Sequence, residues 1–164
     1  QQLVDCAGGS YGNQGCNGGL MDQAFKYIET HPLMTEAEYG YTAQDGSCRY
    51  QKSKGVGTVS AYTDVTPNSP DQLRAALNHQ TVSVAIEADQ SVFQFYTSGV
   101  ITSGCGQQLD HGVTAVGYGT EGSDDYFLVR NSWGASWGAS GYVKIGASSS
   151  NVCGILSQPS FPTA

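Results

Sequence analysis

The chain predicts an α+β fold in two parts: a helical and irregular part over residues 1–60, and a β-rich part over residues 61–164. Three observations lead there. Apolar residues recur at helical spacing before residue 30, and a helix-start pattern opens 70–79. From Val82 onward the apolar runs are short and are separated by glycine-rich turns. The composition, with 22 glycines and 10 tyrosines in 164 residues, favours turns and strands over long helices.

Taken in order, residues 8–19 are glycine-rich and turn-forming. They lead into a helix over 20–28, where Leu20, Met21, Ala24, Phe25 and Ile28 share one face. Pro32 ends it. An irregular, tyrosine-rich stretch over 38–50 carries Cys48, and the alternation Val59, Ala61, Thr63, Val65 predicts a strand. Ser69-Pro70-Asp71-Gln72 supplies an N-cap, a proline at N1 and a glutamine at N3, so 70–79 is predicted helical. Strands are then predicted at 82–86, 113–116, 126–129 and 142–145. Two lobes of different character imply a cleft between them.

Composition narrows the function classes. Seven Lys and Arg against 14 Asp and Glu give a net charge of −7 with no basic run, which argues against nucleic acid or an anionic membrane as a partner. The acid excess suits an acidic compartment. Five dispersed cysteines, Cys6, Cys16, Cys48, Cys105 and Cys153, form no CxxC pair and no zinc-spaced cluster with histidine. They point to disulfides and an oxidising compartment, not to a metal; no metal or other cofactor is expected. Their odd number leaves one thiol that is either free or bonded to a cysteine elsewhere. No targeting segment or transmembrane run is evident, and the abrupt start at Gln1 reads as a truncation.

The most informative constellation lies between 107 and 145. His111, in Asp110-His111-Gly112, precedes one strand, and Asn131, in Asn131-Ser132-Trp133-Gly134, follows the next. Neighbouring strands would bring the two side by side, with Asn131 orienting the imidazole and Trp133 shielding the contact from water. That is the base and orienter of a Cys-His-Asn system. His31, before Pro32, and His79, at a helix end, read as structural or exposed. Three other pattern matches fail on context. Gly117-Tyr118-Gly119-Thr120-Glu121-Gly122 fits GxGxxG, but a strand follows it instead of a helix. The GxSxG matches at Ser10 and Ser136 lack the strand-to-helix turn of a nucleophile elbow, which leaves a serine hydrolase as a remote alternative.

Gln14-Gly15-Cys16-Asn17-Gly18-Gly19, Asp110-His111-Gly112 and Asn131-Ser132-Trp133-Gly134-x-x-Trp137-Gly138-x-x-Gly141-Tyr142 together resemble the papain family of cysteine proteases. Leu20-Met21 and Phe161-Pro162-Thr163 are most similar to its cathepsin L-like branch. The resemblance implies the papain-like two-lobe fold, with an incomplete helical lobe, a β-barrel-like lobe and the active site in the cleft between them. It implies that His111 is the general base and Asn131 its orienter. In this family the nucleophilic cysteine precedes the histidine by roughly 130–150 residues. His111 has 110 residues before it, so the nucleophile and the oxyanion-hole glutamine are expected upstream of Gln1, and these residues alone are expected to be inactive.

The resemblance also implies the pairs Cys6–Cys48 and Cys105–Cys153, with Cys16 bonded to a cysteine in the upstream segment; the alternative is a free, buried Cys16. Gly18 and Gly19 would offer open backbone to a substrate strand. Leu20, Met21, Ala85, Leu109, Gly112 and Gln158 would line the site for the substrate's P2 side chain, with Asp110 and Trp133 also contacting substrate. Those mostly apolar residues predict leucine or phenylalanine at P2 rather than arginine. The expected protein is a monomeric endopeptidase made as a zymogen, acting on polypeptides and blocked by cystatin-type or propeptide inhibitors. It would reside in a lysosome or lysosome-like vacuole, or be secreted. A homologue with serine in place of the nucleophile, serving as a binding, structural or template protein, is the alternative.

Overall fold

The computed structural model describes residues 1–164, which divide into two compact units: residues 1–63 with 162–164, and residues 64–161. The first unit begins with a one-turn helix that the sequence pattern does not signal, α1 (Gln2–Cys6), and contains the expected helix as α2 (Met21–Thr30). Tyr27 and Ile28 of α2 are buried with Ala7, and Leu3, Cys6, Tyr11, Phe25, Leu33 and Val59 pack against them. So small a core needs other ties. Cys6 is bonded to Cys48, and the buried Gln2 donates to the Tyr27 hydroxyl (3.1 Å) while accepting from Met34 N–H (2.8 Å). His31 lies flat on Tyr27, ring centroids 4.7 Å apart. A short strand, β1 (Ala61–Asp64), closes the unit, and Ser60 N–H donates to Thr163 O at 2.7 Å.

The second unit opens with α3 (Pro70–Leu77), where the Ser69 hydroxyl accepts from Gln72 N–H as the cap pattern predicts. Its strands are β2 (Val82–Ile86), β3 (Val100–Ile101), β4 (His111–Glu121), β5 (Asp124–Arg130), β6 (Tyr142–Gly146) and β7 (Ser160–Thr163), with a one-turn helix α4 (Ser91–Gln94) between β2 and β3. They lie in the order β7-β2-β4-β5-β6-β3, antiparallel except for the β3–β6 pair. Their inner face, from Val82, Val84, Ile86, Val113, Ala115, Phe127, Val129, Val143 and Ile145, packs with Leu73 and Phe93 into one core.

One expectation is corrected here. The strand predicted at 113–116 runs on beyond its predicted end, through Gly117-Tyr118-Gly119, to Glu121. Glycine is tolerated at 119 because Tyr126, its partner across the ladder, covers it: a Cβ there would lie 2.7 Å from the Tyr126 hydroxyl oxygen. The reversal comes later, at the two-residue turn Gly122-Ser123. There Gly122 has φ +63°, the positive value that a first hairpin position demands of glycine. α4, β3 and β7 were also unforeseen; each has four residues or fewer, too short for a periodic signal.

Candidate active site

The register of β4 against β5 builds the centre of the site. Thr114 pairs with Arg130, so one further step sets Asn131 opposite Val113. His111 lies two residues from Val113 and is Asn131's diagonal neighbour on the same face, within reach of a long side chain. The outcome is a contact of 2.8 Å between His111 Nε2 and Asn131 Oδ1. Asn131 is buried, and its own N–H donates to Gly141 O at 2.9 Å.

The neighbouring backbone fixes the chemistry of this pair. Asn131 Oδ1 also accepts from Ser132 N–H at 2.8 Å, so the atom facing the imidazole is the amide oxygen and not its nitrogen. His111 Nε2 therefore carries a hydrogen. In the neutral ring the lone pair then sits on Nδ1, the nitrogen free to take a proton from an incoming thiol. Trp133 stacks on the ring (centroids 5.2 Å apart, planes inclined 28°), and Phe93 approaches it edge-on at 6.4 Å. Trp133 is itself held edge-on by Phe93 at 5.5 Å and by Trp137 at 5.3 Å, and Trp137 Nε1 donates to Gln94 O at 3.0 Å. The imidazole thus has one oriented hydrogen bond and an apolar cover. Phe93 was not singled out from the sequence, since α4 leaves no periodic signal.

Two of the other predicted residues of the second unit lie side by side. Ala85 pairs with Gly112 across β2 and β4, on the face opposite the core. Gln158 lies two residues ahead of β7. Gln158 is exposed, and a Leu109 methyl carbon lies 2.6 Å from where a Cβ on Gly154 would be. Asp110 does not touch the imidazole through any hydrogen bond; its Oδ1 accepts from Ala88 N–H at 2.8 Å.

In the first unit, Gly18 is exposed with φ +109° and nothing near its open side. Gly19 is crowded instead, because Asn13 Oδ1 would lie 2.3 Å from a Cβ there. Asn13 spans the loop by donating to Ala7 O (2.9 Å) and accepting from Leu20 N–H (3.0 Å). It is a support that sequence reasoning missed. Leu20 is exposed and Met21 half-buried at the start of α2.

The cysteines offer no nucleophile among themselves. Cys6–Cys48 and Cys105–Cys153 are disulfides. Cys16 is exposed, not buried as one reading of the sequence had it. Residual desolvation, then the Asp45 carboxylate beside it, push its thiol above the ordinary value. That is the reverse of what an activated thiolate needs. No group of three or more His, Cys, Asp or Glu is arranged to hold a metal ion, and no helix is long and apolar enough to cross a membrane.

The sequence profile of the family described as papain family cysteine protease matches residues 1–163. The chain belongs to the papain family. Among curated relatives of this papain-family chain, cysteine proteinase RD21A of Arabidopsis thaliana is 51% identical over 99% of the chain. A digestive procathepsin L 3 of Tenebrio molitor larval midgut superposes with a TM-score of 0.94 at 42% identity, over 99% of this chain and 54% of that one. A Carica candamarcensis cysteine protease in complex with E-64 superposes with a TM-score of 0.89 at 34% identity, over 99% of this chain and 75% of that one. These papain-family residues span 36% of the length of RD21A. The α+β architecture is that of papain-like proteases with a cathepsin L-like relative among them.

Proposed function

We propose that the protein to which these residues belong is a cysteine endopeptidase that works through a Cys-His-Asn thiolate mechanism. The observation that carries the proposal is the His111 Nε2–H···Oδ1 Asn131 bond, because it leaves Nδ1 as the proton acceptor. In the proposed cycle a cysteine encoded ahead of Gln1 gives its proton to His111 Nδ1, producing a thiolate–imidazolium pair. The thiolate attacks the peptide carbonyl carbon. His111 then returns the proton to the leaving amine, and water hydrolyses the thioester with His111 again accepting a proton. Asn131 keeps the ring in one plane through these transfers, and Trp133 excludes water from the bond that does so.

Gly18 and Gly19 are proposed to pair with the substrate backbone. Leu20, Met21, Ala85, Leu109, Gly112 and Gln158 are proposed to contact the P2 side chain, with Asp110 and Trp133 also touching substrate. The pair Ala85 and Gly112 beside Leu109 bears no charge, which supports leucine or phenylalanine at P2 and disfavours arginine. Extended polypeptides are the proposed substrates, and cystatin-type or propeptide segments the proposed inhibitors. The two disulfides support a lysosome-like vacuole or the secreted state.

The test uses the full-length protein, matured if it carries a propeptide. Peptide cleavage should be abolished by the thiol-directed epoxide E-64 and be unaffected by a serine-directed phosphonate. A P2-Leu peptide should be cleaved at least ~10-fold more efficiently than its P2-Arg counterpart. Phosphonate inhibition or absence of cleavage would refute the mechanism, whereas faster cleavage after arginine would refute only the specificity.

A further inference from the structure

Glu87 is a buried acid with no cation beside it and no part in the chemistry above, 6% exposed at the end of β2. Its main chain and its side chain hold two different segments. Glu87 N–H donates to Cys153 O at 2.8 Å, so the residue's backbone is tied to the 151–154 turn. Its Oε2 accepts from Gln108 N–H at 2.8 Å, and Oε1 accepts from Gln90 Nε2 at 3.0 Å. The carboxylate also fills the space over Gly106, where a Cβ would come within 2.6 Å of Oε2. A reciprocal strap follows directly, for Ala88 N–H donates to Asp110 Oδ1 and Asp110 N–H to Ile86 O. The segment Gln108-Leu109-Asp110 is thereby fastened on both sides of Leu109. The Leu109 side chain meanwhile rests over Gly154, a position with φ +75° and no side chain to compete with it.

We propose that Glu87 is a specificity-positioning residue: its carboxylate, by holding Gln108 N–H, fixes where Leu109 stands and so sets the space left for the substrate's P2 side chain. The inference rests on the proteolytic reading above and on Leu109 contacting that side chain. A buried carboxylate is costly to keep without a cation unless it receives hydrogen bonds from fixed donors, and a backbone N–H is such a donor. What matters is then reach and acceptor geometry more than charge. This separates two conservative replacements. Glu87→Gln keeps an oxygen at the same distance and can still accept from Gln108 N–H. Glu87→Asp keeps the charge but withdraws it by about 1.5 Å, the length of one carbon–carbon bond.

The experiment compares the wild-type full-length protein with Glu87→Gln, Glu87→Asp and Glu87→Ala, each titrated with E-64 to count active sites. The readout is the ratio of kcat/KM for a P2-Leu peptide to that for a P2-Ala peptide. Glu87→Gln should keep the ratio within about twofold, and Glu87→Asp and Glu87→Ala should lower it about fivefold or more, mainly through KM for the leucine peptide. The kcat for the alanine peptide should stay within about twofold throughout. An unchanged ratio in Glu87→Asp, or an equal loss on both peptides, overturns the assignment and leaves the protease reading intact. Should Glu87→Ala not fold, the Gln and Asp pair decides alone. If the wild type cleaves neither peptide in a thiol-dependent way, both readings fall together.

Discussion

His111 and Asn131 are diagonal neighbours across the β4–β5 ladder, and the bond between Nε2 and Oδ1 is 2.8 Å long. Ser132 N–H, donating to the same oxygen, decides the tautomer of the imidazole. A side chain twenty residues away thus sets which nitrogen of His111 is basic, and a backbone amide sets which atom of that side chain does so.

Replacing His111 by Ala in the full-length protein should lower kcat/KM by at least ~10³-fold, since both proton transfers pass through it. Asn131→Ala removes one hydrogen bond to a ring that becomes charged, of about 1.5–3 kcal/mol, so the expected loss is about 10–100-fold. Steady-state kinetics normalised to titrated active sites checks the order. Equal losses for the two variants would refute the division of roles.

Trp133 is 39% exposed yet stacks on the imidazole. Such a ring pair contributes about 0.5–1.5 kcal/mol beyond its buried area. Trp133→Ala should reduce kcat about 2–10-fold, and Trp133→Phe should restore most of it. Unfolding midpoints measured alongside separate this from loss of the surrounding Phe93–Trp137 packing.

The first unit has a small core, and its disulfide closes a separation of 42 residues. Chain-entropy reasoning gives about 4 kcal/mol for a loop of that size. The double variant Cys6→Ser, Cys48→Ser should therefore lower the denaturant midpoint strongly at unchanged pH. A midpoint within experimental error of the wild type would show that the 38–50 stretch is held by its hydrogen bonds alone.

Asp5 predicts an acid-sensitive contribution. Desolvation pushes its pKa up, but hydrogen bonds from the Tyr39 hydroxyl, the Gln1 amide and Gly46, together with the Arg49 charge, outweigh it and hold the pKa below the ordinary value. A folded pKa below the unfolded one stabilises the fold above the unfolded value of about 3.9, and that stabilisation is lost as pH falls through the folded pKa. Denaturant midpoints between about pH 5 and pH 2 should fall for the wild type and flatten for Asp5→Asn. Parallel curves would exclude Asp5 as the cause.

The helix cap offers the simplest check of local coding. Ser69→Ala should cost about 1 kcal/mol by removing the acceptor for Gln72 N–H, while Ser69→Asp should cost a few tenths or nothing. Urea unfolding of the two variants reads the difference.

Local codes were legible in the chain. Ser69-Pro70-Asp71-Gln72 announced α3, the spacing of Met21, Ala24, Phe25 and Ile28 announced α2, and short apolar runs between glycine-rich turns announced β2, β5 and β6. Each depends on residues within one or two turns of one another, so local pattern carries it. His111 and Asn131 stood out for the same reason, as a histidine before one apolar run and an asparagine after the next. Cysteine pairing came from family likeness and not from spacing.

Tertiary structure decided the rest, because the interactions join residues far apart in sequence. Gly117 and Gly119 are strand because β5 pairs with them, Gly117 opposite Leu128 and Gly119 opposite Tyr126. The one-turn elements α1 and α4 exist because disulfide and core contacts hold them, with too few residues to nucleate alone. No local pattern marks Phe93 as a wall of the imidazole, Asn13 as the brace of Gly19, or Glu87 as an anchor 21 residues from Gln108. Sequence named the groups that can do chemistry. Packing chose the tautomer, the register and the buried acceptors, since each is a distance between atoms that the chain alone does not specify.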